Sequence, residues 1–309
     1  MRQGEVGPQG SWVGNPLGGV KAPEPLILPD PATRFGKTKD RLDALAEGHP
    51  MADWLRFLAR LSGAQGEAAA KLGAVPALDL AFVRQAVEAR MPPLAADGHR
   101  RHPVWRHGLT LMLDSLEAGD EPAAARQAMT ELRARRPEAI ESLADAFLQG
   151  AVQAADAGAA LYVAAALQVY FTRLAHDLPA SELRLLPERS LCPCCGSPPV
   201  AGVVMASGAT PGARYLYCSL CGTAWNHVRA ICVTCGDSRS LSLKSIEGGD
   251  GAVKVETCNA CHTYVKSLYQ AKDTKVDPFA DDLASLGLDI MVGEAGWARH
   301  APNPFLLAG

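Results

Sequence analysis

Nine cysteines constrain this chain more than any other feature: all lie between Cys192 and Cys261, with none in the 191 residues before them or the 48 after. Eight form Cys-x-x-Cys pairs, Cys192 with Cys195, Cys218 with Cys221, Cys232 with Cys235 and Cys258 with Cys261, separated by 22, 10 and 22 residues. Adding 40 to each position of the first two pairs gives the last two, and Gly196, Gly208 and Thr223 map likewise onto Gly236, Gly248 and Thr263. The segment is an internal repeat. The thiols of a cytosolic protein stay reduced, so a cluster like this points to metal rather than disulfides, and the odd count agrees.

A Cys-x-x-Cys turn carries two sulfurs on one side of a tight knuckle, and the glycine after it takes a backbone conformation that a side chain hinders. Two knuckles complete one tetrahedral four-sulfur site. The repeat therefore predicts that Cys192, Cys195, Cys218 and Cys221 share one ion and that Cys232, Cys235, Cys258 and Cys261 share another. A cross-braced pairing, first pair with third, is the competing arrangement. A tetrahedron of sulfurs suits both zinc and iron, so spacing leaves the metal open. The 22-residue spacers are long enough for short hairpins, and Leu241 with Leu243, Val253 with Val255 and Tyr215 with Tyr217 alternate as strands do. Each 40-residue copy reads as a zinc-ribbon or rubredoxin-like β module.

Other readings of these residues are weaker. Cys258-Asn259-Ala260-Cys261-His262 spells a haem-attachment string, but it is one member of a regular array. Cys194 has Thr234 as its counterpart and reads as a surplus thiol. His227 and His262 adjoin knuckles whose sites are already filled by cysteine. From Ser190 to Lys275 eight Lys and Arg face five Asp and Glu. Each four-thiolate site is left at about −2 with Zn(II) or about −1 with Fe(III), so the excess disappears or nearly so. Nucleic-acid binding is thus the minority reading, and Tyr215, Tyr217, Trp225 and Tyr264 read as module core rather than as a stacking platform.

From Thr38 to Leu178 the chain is rich in Ala, Leu, Arg and Glu at helical spacing, as in Trp54, Leu55, Leu58 and Leu61. Breaks at His49-Pro50, Pro92-Pro93, Gly119-Asp120, Arg136-Pro137 and Gly150 predict six or seven helices, with Ala159 to Phe171 as the central buried one. The longest apolar stretch free of charge, Ala157 to Thr172, has 16 residues. A spanning helix needs about 20, so no membrane insertion is expected. The His99, Arg100, Arg101, His102, Arg106, His107 cluster reads as a solvated loop and helix start. Arg34-Phe35-Gly36-Lys37-Thr38 resembles the end of a phosphate loop, but Pro31 stands where its first glycine belongs. Asp277 with Pro278 reads as a helix start, with Asp281 and Asp282 either near its positive end or forming a recognition surface.

The expected fold class is α+β: an N-terminal all-α helical bundle, then tandem rubredoxin or zinc-ribbon-like β modules and a C-terminal helix. The expected boundaries are a flexible Pro/Gly-rich lead over residues 1–37, a helical domain over 38–187, the tandem four-cysteine metal-binding module over 188–270 and a C-terminal helix and tail over 271–309. The first residues show no basic start followed by an apolar run and a cleavage site, which places the chain in the cytoplasm.

Taken together, the helical half, Cys192-Pro193-Cys194-Cys195-Gly196 through Gly202, Arg214-Tyr215-Leu216-Tyr217-Cys218-Ser219-Leu220-Cys221 and the DPFADDLASLGLD segment over 277–289 resemble the formate dehydrogenase accessory protein family, FdhE. The resemblance is close over the C-terminal third and looser over the helical half. It implies a cytoplasmic assembly factor rather than an enzyme, a chaperone that binds the catalytic subunit of respiratory formate dehydrogenase before export. It also implies rubredoxin-type iron on the eight paired cysteines, with zinc as the alternative. Redox action on that client and zinc-ribbon binding of nucleic acid are the competing functions. Cys194 within the first knuckle, and Asn226-His227 after Trp225, depart from the family pattern.

Overall fold

The computed structural model describes residues 22–117, 119, 121–208 and 210–306. Its first half is helical: α1 (Arg34–Leu45), α2 (Ala52–Lys71), α3 (Leu80–Glu88), α4 (Val104–Glu117), α5 (Ala123–Arg133), α6 (Pro137–Leu148) and α7 (Ala157–His176). Each of the five expected breaks marks a boundary between consecutive helices, Arg136-Pro137 at the first residue of α6. A sixth, over residues 72–79, separates α2 from α3 and supplies the seventh helix. Its signals are local: Gly73 follows α2 with φ +73°, Pro76 cannot continue a helix, and Asp79 caps α3 by accepting from the Ala81 N–H at 2.6 Å.

Helix α7 is the axis of this half, buried without interruption from Ala159 to Thr172 and packed by α2, α4, α5 and α6. Small Ala side chains let those helices approach closely. With the 3-10 turn before it, Ala154–His176 is long and apolar enough to cross a membrane, a longer span than the charge-free run alone indicated, but most of it is covered by the protein's own helices. Two polar side chains inside it are satisfied: Gln168 accepts from Gln65 Nε2 at 2.8 Å, and the Thr172 hydroxyl donates to the Gln168 carbonyl. Leu167 on the same helix has no exposed surface. Leu167→Ala should therefore cost about 2–5 kcal/mol, measured as a loss of stability in denaturant titration with an unchanged slope.

The repeat becomes one continuous sheet. The first copy supplies β2 (Pro199–Val204), β3 (Arg214–Cys218) and β4 (Ala224–Asn226), and the second supplies β5 (Leu241–Lys244), β6 (Val253–Cys258) and β7 (Thr263–Tyr269). Each set is antiparallel. The two sets join where β2 runs parallel to β7, with Gly202 opposite Ser267 and Val204 opposite Tyr269. Two short strands complete it: β1 (Leu26–Ile27) beside β4, and β8 (Ala298–Arg299) beside β7. Residues 1–21 of the expected lead lie outside the described residues. Beyond them, β1 is held at the sheet edge by Asn226 N–H to Pro25 O at 2.9 Å and Tyr215 Oη to Glu24 O at 3.0 Å. This extended run suits prolines that forbid a helix there.

The expected C-terminal helix is two short ones, α8 (Ala280–Ala284) and α9 (Leu286–Glu294), parted at Ser285, whose hydroxyl bonds back to the Asp281 carbonyl at 2.6 Å. Asp277 starts α8 as expected, its carboxylate accepting from Phe279 and Ala280 N–H at 3.0 and 2.8 Å. The adjacent acids form no exposed recognition surface. Asp281 is clamped by Arg41, while Asp282 has no exposed side chain and meets Lys266, Arg299 and Asn303.

Candidate metal centres

Each knuckle lies at a strand end or turn that the sheet fixes. Cys218 closes β3 and Cys258 closes β6, so the hairpins deliver the second pair of each copy to the first. The sulfurs of Cys192, Cys195, Cys218 and Cys221 all lie within 4.8 Å of one another, as do those of Cys232, Cys235, Cys258 and Cys261. The grouping is sequential within each copy, not cross-braced. Four sulfurs about 2.3 Å from a central ion stand about 3.8 Å apart. The contacts across the knuckles are 3.6 and 3.4 Å in the first tetrad and 3.7 and 3.8 Å in the second. Both donor sets thus fit a tetrahedral ion, zinc or iron alike.

The repeat also positions hydroxyls. Thr223 Oγ1 lies 3.2 Å from Cys221 Sγ, and its counterpart Thr263 Oγ1 lies 3.1 Å from Cys261 Sγ. In the first centre, Leu220 and Cys221 N–H donate to Cys218 Sγ at 3.4 and 3.3 Å. Such bonds favour thiolate over thiol. Gly222 and His262 occupy equivalent positions, with φ +78° and +55°. The turn requires left-handed backbone in both copies, and the second copy places a side chain there.

The two centres differ in depth. All four sulfur-bearing residues of the first are at most 1% exposed and belong to the same hydrophobic core as α2, α4 and α7. In the second, Cys235 is exposed and Cys261 half-buried, and none of the four joins that core. The cause lies in the helical half. Leu94 and Ala96 N–H donate to the Cys194 and Cys195 carbonyls at 2.8 and 2.9 Å, and Gln168 Nε2 donates to Ser219 O at 2.8 Å. Arg34 Nη1 reaches Leu220 O at 3.0 Å. Both knuckles of the first centre are thereby held from the helical half, the first by the α3–α4 connection and the second by α1 and α7. Burial pushes the Cys192 and Cys195 thiols well up, because four thiolates in an apolar core need a cation to remain ionised. An ion bound by the four sulfurs would supply that charge.

The remaining sequence candidates find internal partners. Cys194 is buried in the core beside the first centre and belongs to neither tetrad. His227 is buried against Arg214, with Nδ1 2.6 Å from Nη2, and burial followed by that positive neighbour pushes its pKa down to about 4. It joins neither centre. Trp225, Tyr215 and Tyr264 are buried and Trp225 Nε1 bonds Arg189 O at 2.9 Å, so they are core as expected. Much of the basic cluster is internally paired: Arg101 and Arg106 meet Glu141, and His99 Nε2 lies 3.1 Å from Tyr170 Oη. Composition alone missed Gln168 and Arg34. A glutamine inside an otherwise apolar helix was the available signal for the first.

Similarity to known proteins extends over most of the chain. Models of the FdhE N-terminal, central and C-terminal domains match residues 23–188, 191–229 and 230–306, so the boundary between the last two falls between the tetrads. An FdhE homolog of Edwardsiella ictaluri is 41% identical over 288 residues, covering 92% of this chain and 92% of that protein. One from Rhizobium meliloti is 35% identical, covering 94% and 95%. The crystal structure of the FdhE protein from Pseudomonas aeruginosa superposes with a TM-score of 0.83 at 36% identity, over 92% of this chain and 99% of that one.

Proposed function

We propose, from the premise that this chain belongs to the FdhE family, that it is a cytoplasmic assembly factor that binds the catalytic subunit of respiratory formate dehydrogenase and is needed for its maturation before export. The observation that carries the reading is that the family match runs through all three domains while the chain keeps both complete sulfur tetrads. The eight paired cysteines are the metal ligands of this proposal, with iron favoured by the family and zinc as the alternative.

The role is binding rather than turnover. An ion held by four thiolates has no open position for a substrate, as in structural tetrahedral sites. The first centre is moreover enclosed by the core, so its contribution is to fix the sheet against the helices and keep the surface of both in one shape. A redox reading is favoured by one observation only, the exposed Cys235, which brings the second centre within electron-transfer reach of a docked partner.

Affinity capture of the tagged chain from its own host, expressing respiratory formate dehydrogenase, tests the proposal. Enrichment of the catalytic subunit over a tag-only control is the expected result. Recovery of nucleic-acid machinery instead, or of nothing above control after crosslinking, overturns it. Full maturation by a protein loaded only with redox-inert zinc rules out the electron-transfer reading and leaves the binding one intact.

A further inference from the structure

Arg34 is the residue whose sequence context mimics a phosphate loop, and its actual surroundings are those of the first sulfur tetrad. Its guanidinium donates to Leu220 O at 3.0 Å, inside the Cys218–Cys221 knuckle, and to the Thr172 hydroxyl of α7. It is stacked between two rings, with Cζ 5.0 Å from the Phe35 centroid and 4.6 Å from that of Phe279. The knuckle admits it because residue 222 is glycine: a Cβ there would stand 2.8 Å from Arg34 Cζ. The equivalent position in the second copy is His262, which is exposed.

The first centre needs such a neighbour. A tetrathiolate keeps a net negative charge with either metal, about −2 with Zn(II) and about −1 with Fe(III), and here that charge lies in an apolar core. An isolated buried charge is costly unless a partner of opposite sign stands beside it. Burial tends to lower the pKa of Arg34, and negative charge on Cys221, Cys218 and Cys195 opposes that. A guanidinium stays protonated in either case. The second centre, with Cys235 at the surface, is screened by water instead.

We infer that Arg34 is a positioning residue for the first metal centre, supplying the positive charge that lets a negatively charged metal tetrathiolate sit in the core and locking its second knuckle to α1 and α7. The inference rests on the reading of the paired cysteines as metal ligands. It predicts that the centre is loaded and the helices docked together, since one side chain serves both.

The test uses the full-length chain, purified with zinc and with iron, as wild type, Arg34→Gln and Arg34→Lys. Wild type that holds no metal would refute the metal reading itself, separately from the role of Arg34. With two ions bound in wild type, zinc transfer to a chromogenic chelator should show one of two ions leaving roughly 10–100-fold faster in Arg34→Gln, the usual scale for loss of a group supporting a ligand, while the other is unchanged. In the iron form the reduction potential of one centre should fall in Arg34→Gln, because the lost cation favoured the more negative reduced state. Arg34→Lys, which keeps the charge, should restore it; a merely structural contact would not produce that pattern. Unchanged release and potential in Arg34→Gln overturn the inference. If Arg34→Gln does not fold, Arg34→Lys carries the test: two retained ions and a wild-type potential support it, and a lowered potential overturns it.

Discussion

Cys218→Ser is expected to release one of two ions and to destabilise the helical half along with the sheet, whereas Cys235→Ser is expected to release the other ion and leave the helices folded. The asymmetry follows from depth. Cys218 has no exposed surface and shares a core with Leu58, Leu167 and Trp105, while Cys235 is exposed. Structural tetrahedral zinc contributes an apparent ~10–16 kcal/mol in small modules, and whole domains are stable by only about 5–15 kcal/mol. A loss of even ~5 kcal/mol would lower the melting temperature by roughly 10–20 °C for a domain of 150–250 residues. Metal content by mass spectrometry and thermal melting followed by helical circular dichroism read the two effects separately. Cys194→Ala is the control: it is equally buried but outside both tetrads and should keep two ions. Equal melting temperatures for Cys218→Ser and Cys235→Ser would contradict the shared core.

The second large effect belongs to Asp282. Its carboxylate has no exposed surface, lies 3.3 Å from Lys266 Nζ, accepts from Asn303 Nδ2 at 2.9 Å and pairs with Arg299. Lys266 is itself fully buried, with Asp289 as its other acid and the Asp282 and Ser285 carbonyls at 2.8 and 3.2 Å. Asp282→Ala leaves two cations facing one carboxylate away from water. Breaking a buried pair from one side costs about 3–5 kcal/mol, mainly through the uncompensated charge. A double variant, Asp282→Ala with Lys266→Met, should recover part of that loss in denaturant titration. If the single variant matched wild type, the network would be contributing nothing to the docking of α8 and α9 on β7.

Both predictions turn on features of different legibility. The tetrads could be read residue by residue, because a Cys-x-x-Cys knuckle is a local object and a 40-residue repeat carries its partner to the equivalent place. The strands followed for the same reason, with β2, β3 and β4 recurring as β5, β6 and β7. Helix breaks were legible wherever proline or glycine marked them, and the break at 72–79 carried the same marks less conspicuously, in Gly73 and Pro76. Asp281 and Asp282 were harder. Alone in sequence they look like a solvated acidic turn, and only Arg41, Lys266 and Arg299, arriving from three other elements, make them interior.

What the amino-acid sequence determined by itself was the set of eight paired cysteines, their 40-residue repeat and the α-then-β order of the chain, since each rests on spacing within a few tens of residues; the sequential rather than cross-braced grouping of the sulfurs came from the folded sheet. The tertiary structure alone decided that the two centres are unequal. Burial depends on what packs from far along the chain: Leu94, Ala96, Gln168 and Arg34 close over the first tetrad. The second is left with a cysteine facing water because no described helix of the N-terminal half shares a core with its four cysteines.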